Sequence, residues 1–94
     1  MLEIRVVEPG TIRFTGRLDA SQAEEAMATL QRFDGSLIAD FSGLDYISSA
    51  GLSVIVETFR RLTGGGHSFR LVNMQPRVRN VFRYSGLDRV LQIE

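Results

Sequence analysis

The stretch SLIADFSGLDYISSAGLSVIVETF, Ser36 to Phe59, changes its hydrophobic period halfway along. Leu37 to Phe41 make a short apolar run broken only by Asp40, as expected of a central strand covered on at least one face. From Ala50 onward, Leu52, Ile55, Val56, Phe59 and then Leu62 recur at three- and four-residue intervals, which places them on one stripe of a helix. Ser53, Glu57, Arg60 and Arg61 fall largely off that stripe, and Val54 lies beside it. The junction between the two periods holds Ser48, Ser49, Ala50 and Gly51. The stretch thus reads as strand, loop and amphipathic helix, a unit of α/β sheets.

Upstream, Leu2, Ile4 and Val6 alternate with polar neighbours, and so do Ile12, Phe14 and Leu18 beyond a Pro9-Gly10 break. Proline presets φ and glycine tolerates positive φ, so the break suits a tight turn between antiparallel strands. In DASQAEEAMATLQRF, Ser21 and Glu24 have capping-box spacing, and Ala23, Met27, Leu30 and Phe33 lie near helical spacing. Asp34-Gly35 ends that helix. Downstream, Gly64-Gly65-Gly66 stops the second helix, SFRLV reads as a strand, and Pro76 opens a third helix, PRVRNVFRYS, with Gly86 after it. RVLQI supplies a last strand. The predicted order is β-β-α-β-α-β-α-β: one α/β domain over residues 1–94, with a sheet made mixed by its N-terminal antiparallel hairpin.

Composition excludes several classes. The 94 residues are 44% apolar, enough for one modest core. No run approaches the roughly 18 apolar residues of a membrane span, and the start MLEIRVVEPG has neither the basic residues nor the apolar core of a leader. There is no cysteine, which rules out a disulfide framework and a thiolate metal site, and a single histidine, His67, builds no zinc site. Eleven basic residues, all arginine, balance eleven acidic ones, so nucleic-acid binding by bulk charge is not expected. The expected location is cytoplasmic, with no cofactor and no direct insertion into a membrane.

Nor do the residues assemble an enzyme. Gly64 to Gly66 are followed by His67-Ser68 rather than Lys-Ser/Thr, and they follow a helix rather than a strand, the wrong context for a phosphate loop. A serine nucleophile needs a base close by, yet about fifteen helical residues, roughly 20 Å at about 1.5 Å each, separate His67 from Ser48 and Ser49. Asp40 and Asp45 are expected near the end of the central strand, where open α/β sheets often carry their sites. Ending the strand and satisfying a turn are sufficient reasons for them.

The two serines are harder to dismiss. One hydroxyl suffices to cap a helix, and that cap is worth about 1 kcal/mol. Gly51 costs a helix up to about 1 kcal/mol relative to alanine, and small residues there would let another molecule approach closely.

DFSGLDYISSAGLSVIVE resembles the signature segment of STAS domains, the fold of bacterial anti-sigma-factor antagonists. FTGRLDAS resembles the family's Gly-x-Leu-Asp stretch at the end of its second strand, and VNMQPRVRNVFRYSGLDRVLQI its closing strand-helix-strand. The three segments occur in the family's order across nearly the whole chain. The resemblance implies a STAS fold with helices packed mainly on one face of the mixed sheet. It also implies a non-enzymatic regulator that binds an anti-sigma factor, itself a serine kinase, and is switched off by phosphorylation until a PP2C-type phosphatase restores it. Counting back from Gly51-Leu52, the phosphoacceptor is Ser49. Ser48 stands where relatives often carry an acid, and is the alternative acceptor. The implied docking surface comprises Asp19, Asp40, Ser48, Ser49, Gly51, Ser53, Val54 and Glu57, with Asp19 and Asp40 expected near the acceptor. A stand-alone STAS subunit of an ABC-type lipid transport complex is the alternative, its helix surface docking on the ATPase and its serine mainly a cap.

Overall fold

A computed structural model describes all residues from Met1 to Glu94. Strands β1 (Leu2–Glu8) and β2 (Thr11–Leu18) form the hairpin, followed by α1 (Ala23–Leu30), β3 (Leu37–Ile47), α2 (Ser49–Gly64), β4 (Phe69–Val72), α3 (Pro76–Tyr84) and β5 (Gln92–Ile93). A single turn of 3₁₀-helix, Leu87–Arg89, precedes β5. The sheet order is β1-β2-β3-β4-β5, antiparallel only between β1 and β2. Every parallel crossover therefore steps in the same direction across the sheet. Right-handed crossovers that all step one way place every helix on the same face.

That face holds the core. Ile12, Phe14 and Leu18 of β2, Leu37, Ala39 and Phe41 of β3, and Phe69 and Leu71 of β4 are buried against Ala26 and Leu30 of α1, Val54, Ile55 and Leu62 of α2, and Val78 and Phe82 of α3. Phe41 is the hinge of this packing. Its ring meets Phe14 edge-on at 4.8 Å and Phe82 at 6.3 Å, tying two strands to the last helix. A phenylalanine buried in this way is worth about 3–5 kcal/mol against truncation. The opposite face carries the alternate residues Glu3, Arg5, Arg13, Thr15 and Arg17, all exposed. One-sided cover explains why β2 alternates so cleanly between buried and exposed positions, as parallel strands covered on both faces do not.

Several local expectations are corrected. The Ser21–Glu24 capping box does not form. Helix α1 begins later, at Ala23, with Gln22 as an N-cap that makes no side-chain bond. The Ser21 amide that Glu24 would have received goes to the Asp19 carboxylate at 3.1 Å, which also accepts the Ser21 hydroxyl at 2.7 Å. The central strand runs past Phe41 to Ile47, since β2 continues alongside it through the pair Leu18–Ile47. Asp45 thus lies on a strand, where it accepts a long 3.4 Å hydrogen bond from the Gln75 amide. The last strand is reduced to Gln92–Ile93, since Arg89 ends the 3₁₀ turn and the amides of Val90 and Leu91 both return to the Leu87 carbonyl.

The glycine run closes α2 as the sequence requires. Gly66, at φ +85, is the left-handed residue, and the amides of Gly66 and His67 return to the carbonyls of Thr63 and Leu62 at 3.1 and 2.8 Å. This paired closure is a Schellman motif, and it uses the run without a ligand.

Candidate functional site: the threshold of helix α2

The Ser48 amide donates to the Leu18 carbonyl at 3.0 Å, so the end of β3 is stitched to the end of β2 immediately before α2 begins. Ser48 is the N-cap, with extended backbone (φ −93, ψ 174), and its hydroxyl accepts from the Gly51 amide at 3.2 Å. The helix then turns so sharply over Leu18 that Gly51 is buried. A Cβ on Gly51 would lie 2.6 Å from the Leu18 carbonyl oxygen and 2.8 Å from the Ile47 side chain. Gly51 is thus a packing residue of the domain itself, and the expectation that it opens space for another molecule is corrected.

The two serines have different tasks. Ser48 is half-buried and engaged in the cap; Ser49, the first helical residue, is exposed. Ser53 and Glu57 follow Ser49 at four-residue steps and are likewise exposed, so the three make one outer ridge of α2. The Ser53 hydroxyl donates to the Ser49 carbonyl at 3.2 Å, and Glu57 pairs with Arg60 at 3.6 Å. Val54 does not belong to this ridge. It is only 4% exposed and forms part of the core, because α2 packs against α1 as well as the sheet and so buries a wider arc than its main apolar stripe.

Asp19 is brought to the threshold, being the residue after Leu18. Its carboxylate accepts from the Ser21 hydroxyl and amide and lies 3.8 Å from Arg17. The Ser21 hydroxyl foremost, with the Ser21 amide and Arg17, holds its carboxyl below the usual carboxylate range. Asp40 is not brought there. Arg13 stands beside Asp40 and Leu18 beside Ile47, and five steps of strand at about 3.3 Å each put Asp40 roughly 17 Å short of the threshold. Asp40 instead pins the open face of the sheet. It accepts from the Ser42 amide at 2.9 Å and from Arg13 at 3.3 Å, with its side chain 10% exposed. Burial works against its charge, but the Ser42 amide and hydroxyl, the Asn73 side chain and Arg13 together outweigh it and hold the carboxyl below the usual range.

Arg17 and Tyr46, absent from the expected surface, belong to the same end of the sheet. They are register partners on β2 and β3, and the Arg17 guanidinium lies 4.2 Å from the centre of the half-exposed Tyr46 ring. Alternation with buried Leu18 and Ile47 would have pointed both outward, but an arginine and a tyrosine three positions before a serine carry no motif. Around Ser49 the chain presents hydroxyls, a carboxylate and a stacked guanidinium. No group of three or more His, Asp or Glu side chains is disposed to hold a metal. No helix is long and apolar enough to cross a membrane.

A one-sided mixed sheet whose central strand hands over to a serine-capped helix is the architecture of a STAS domain. The family model described as "STAS domain" matches residues 3–94, and the chain belongs to that family. Among its relatives, the anti-sigma F factor antagonist of Lysinibacillus sphaericus is 31% identical over 91 residues, spanning 92% of this chain and 78% of that one. An anti-sigma factor antagonist from Mycobacterium paratuberculosis shares the fold with a TM-score of 0.75 at 19% identity, over 99% of this chain and 83% of that one. The Bacillus cell fate determinant SpoIIAA, solved in its phosphorylated form, does so with a TM-score of 0.71 at 24% identity, over 100% of this chain and 91% of that one.

Two outcomes follow from the threshold geometry. Ser48→Ala lowers stability by about 1 kcal/mol in urea unfolding while Ser49→Ala stays within about 0.5, and Gly51→Ala costs more than either, about 1–3 kcal/mol, despite alanine's better helix propensity. For Asp40 the sign is fixed by its lowered folded-state value. Its stabilisation is complete above the unfolded value of 3.8 and is lost as pH falls through the lower folded one. Asp40→Asn is therefore less stable at neutral pH and shows a flatter loss of stability on acidification, measured by unfolding across the acid range.

Proposed function

We propose that this chain is an anti-sigma factor antagonist that binds an anti-sigma factor through the outer ridge of α2 and the neighbouring end of β2. The reading rests on the relatives' naming and on one observation: the capping task is taken by Ser48, which leaves the exposed Ser49 hydroxyl free of it. Ser49 is the phosphoacceptor, its kinase the anti-sigma factor itself, and a PP2C-type phosphatase reverses the modification. Asp19, Ser53 and Glu57 complete the docking surface, with Ser48 shaping it from beneath.

Phosphorylation acts on the interface rather than the fold. A phosphoryl group brings about −1.5 to −2 charges at neutral pH, and at the start of α2 it meets about +0.5 of charge from the helix dipole. The partner, in contrast, has to accommodate the bulk, desolvate a dianion and bring any acid of its own against it. A loss of about 2.7 kcal/mol is enough to weaken binding a hundredfold.

Incubation with the organism's anti-sigma-factor kinases and ATP, followed by peptide mass spectrometry, is expected to place phosphate on Ser49. The Ser49→Ala chain then remains unmodified, and Ser48→Ala is still modified. Ser49→Asp weakens capture of the anti-sigma factor at least tenfold. Modification of Ser48 alone, or recovery of a transporter ATPase in place of a kinase, would refute the assignment.

A further inference from the structure

Strand β1 ends the sheet, and its outer edge is uncovered. The Arg17 amide donates to the Met1 carbonyl at 2.8 Å, and Leu2 stands opposite Gly16. In an antiparallel ladder the residues that bond a neighbour alternate, so Glu3 and Arg5 turn their backbone groups toward β2. Leu2, Ile4 and Val6 turn theirs outward. Natural edges are usually blunted by charged side chains, an inward-pointing charge, a bulge or a proline. Strand β1 has Glu3 and Arg5 on its open face and a register shift between Val6 and Glu8, but its outward-bonding residues from Leu2 to Val6 are all apolar, and Val6 is 56% exposed. Beside them, two clefts of about 280 and 380 Å³ separate β1 from α1. The first lies by Leu2 and Ile4 and is walled by Glu25, and the second lies by Ile4 and Val6 and is walled by Arg32.

We propose that β1 is a self-pairing edge, on which a second copy of this chain adds its own β1 in antiparallel register centred on Ile4. Charge complementarity selects both the occupant and the register. With Ile4 opposite Ile4 of the second copy, Leu2 meets Val6 above the clefts, and on the open face Glu3 stands directly opposite Arg5, twice by symmetry. Those two side chains already share that face, 2.9 Å apart within one strand. Centring the pair on Arg5 instead sets Arg5 against Arg5, a destabilising juxtaposition. The same two-fold rotation turns the Glu25 end of α1 toward the Arg32 end of α1 in the second copy, a complementarity independent of the strand. Such an isologous contact closes on itself and does not propagate into fibres. It joins two five-stranded sheets into one, with the two Ser49 thresholds at opposite ends and both accessible.

Sedimentation equilibrium of the full chain, from micromolar to millimolar concentration, tests this directly. The expected result is a reversible rise from the 10.5 kDa monomer to twice that mass. Val6→Pro removes an outward amide and no bond to β2; it is expected to give monomers whose melting at dilute concentration matches the unmodified chain. Glu3→Arg or Arg5→Glu alone raises the dimer dissociation constant about tenfold, and the two together bring it back toward the original value. A chain that stays at 10.5 kDa throughout, or a dimer indifferent to Val6→Pro, overturns the proposal. So does a pair of charge reversals that weakens association additively.

Discussion

The fit of Gly51 over the Leu18 carbonyl is the constraint on which the rest of the molecule depends. A methyl group there would sit 2.6 Å from that oxygen, so only glycine lets α2 begin this close to β2. The Leu18 carbonyl itself receives the Ser48 amide, and the Ser48 hydroxyl receives the Gly51 amide. Strand end, cap and first helical turn are thus closed into one small circuit. With α2 seated, Val54, Ile55 and Leu62 reach the core. The same seating leaves Ser49 on the outside, in the dipole's field and without a structural duty.

The strand order sets the second constraint. Because each crossover moves one strand further in the same direction, the helices share a face and the other face stays open. The open face is managed by charge: Arg13 with Asp40 in the middle, and Arg70 with Glu94 near the β5 edge. Asp40 is embedded among donors there, in a position that stabilises the sheet far from the helix threshold. The β1 edge carries the Glu3–Arg5 pair, both partners more than half exposed.

Much of this was legible in the sequence because its signals were periodic. The alternation of Ile12, Phe14 and Leu18, the helical stripe from Leu52 to Leu62, and the Pro9-Gly10 and Gly64–Gly66 breaks each follow from local geometry. What escaped were contacts set by neighbours distant in sequence. Nothing near Val54 announces that α1 packs against its flank, and nothing near Phe41 announces that β2 carries the central strand on to Ile47. The Ser21–Glu24 spacing was overridden by Asp19, whose carboxylate takes the Ser21 amide that Glu24 would have received. At the site, the resemblance drew attention to Ser49 and Gly51 together, but only the three-dimensional contacts separate a residue that packs from one that faces outward. Arg17 and Tyr46 were hidden for a similar reason: their stacking joins two strands and has no counterpart in linear spacing.

On the proposed function, phosphorylation of Ser49 leaves the circuit beneath it closed. Amide hydrogen exchange at Gly51, compared between the unmodified chain and one carrying phosphoserine at position 49, addresses this most directly. The expected result is unchanged protection of the Gly51 amide, with its bond to Ser48 intact beside the dianion. Loss of that protection would show that phosphate pulls the cap apart, and would contradict a switch that acts at the interface alone.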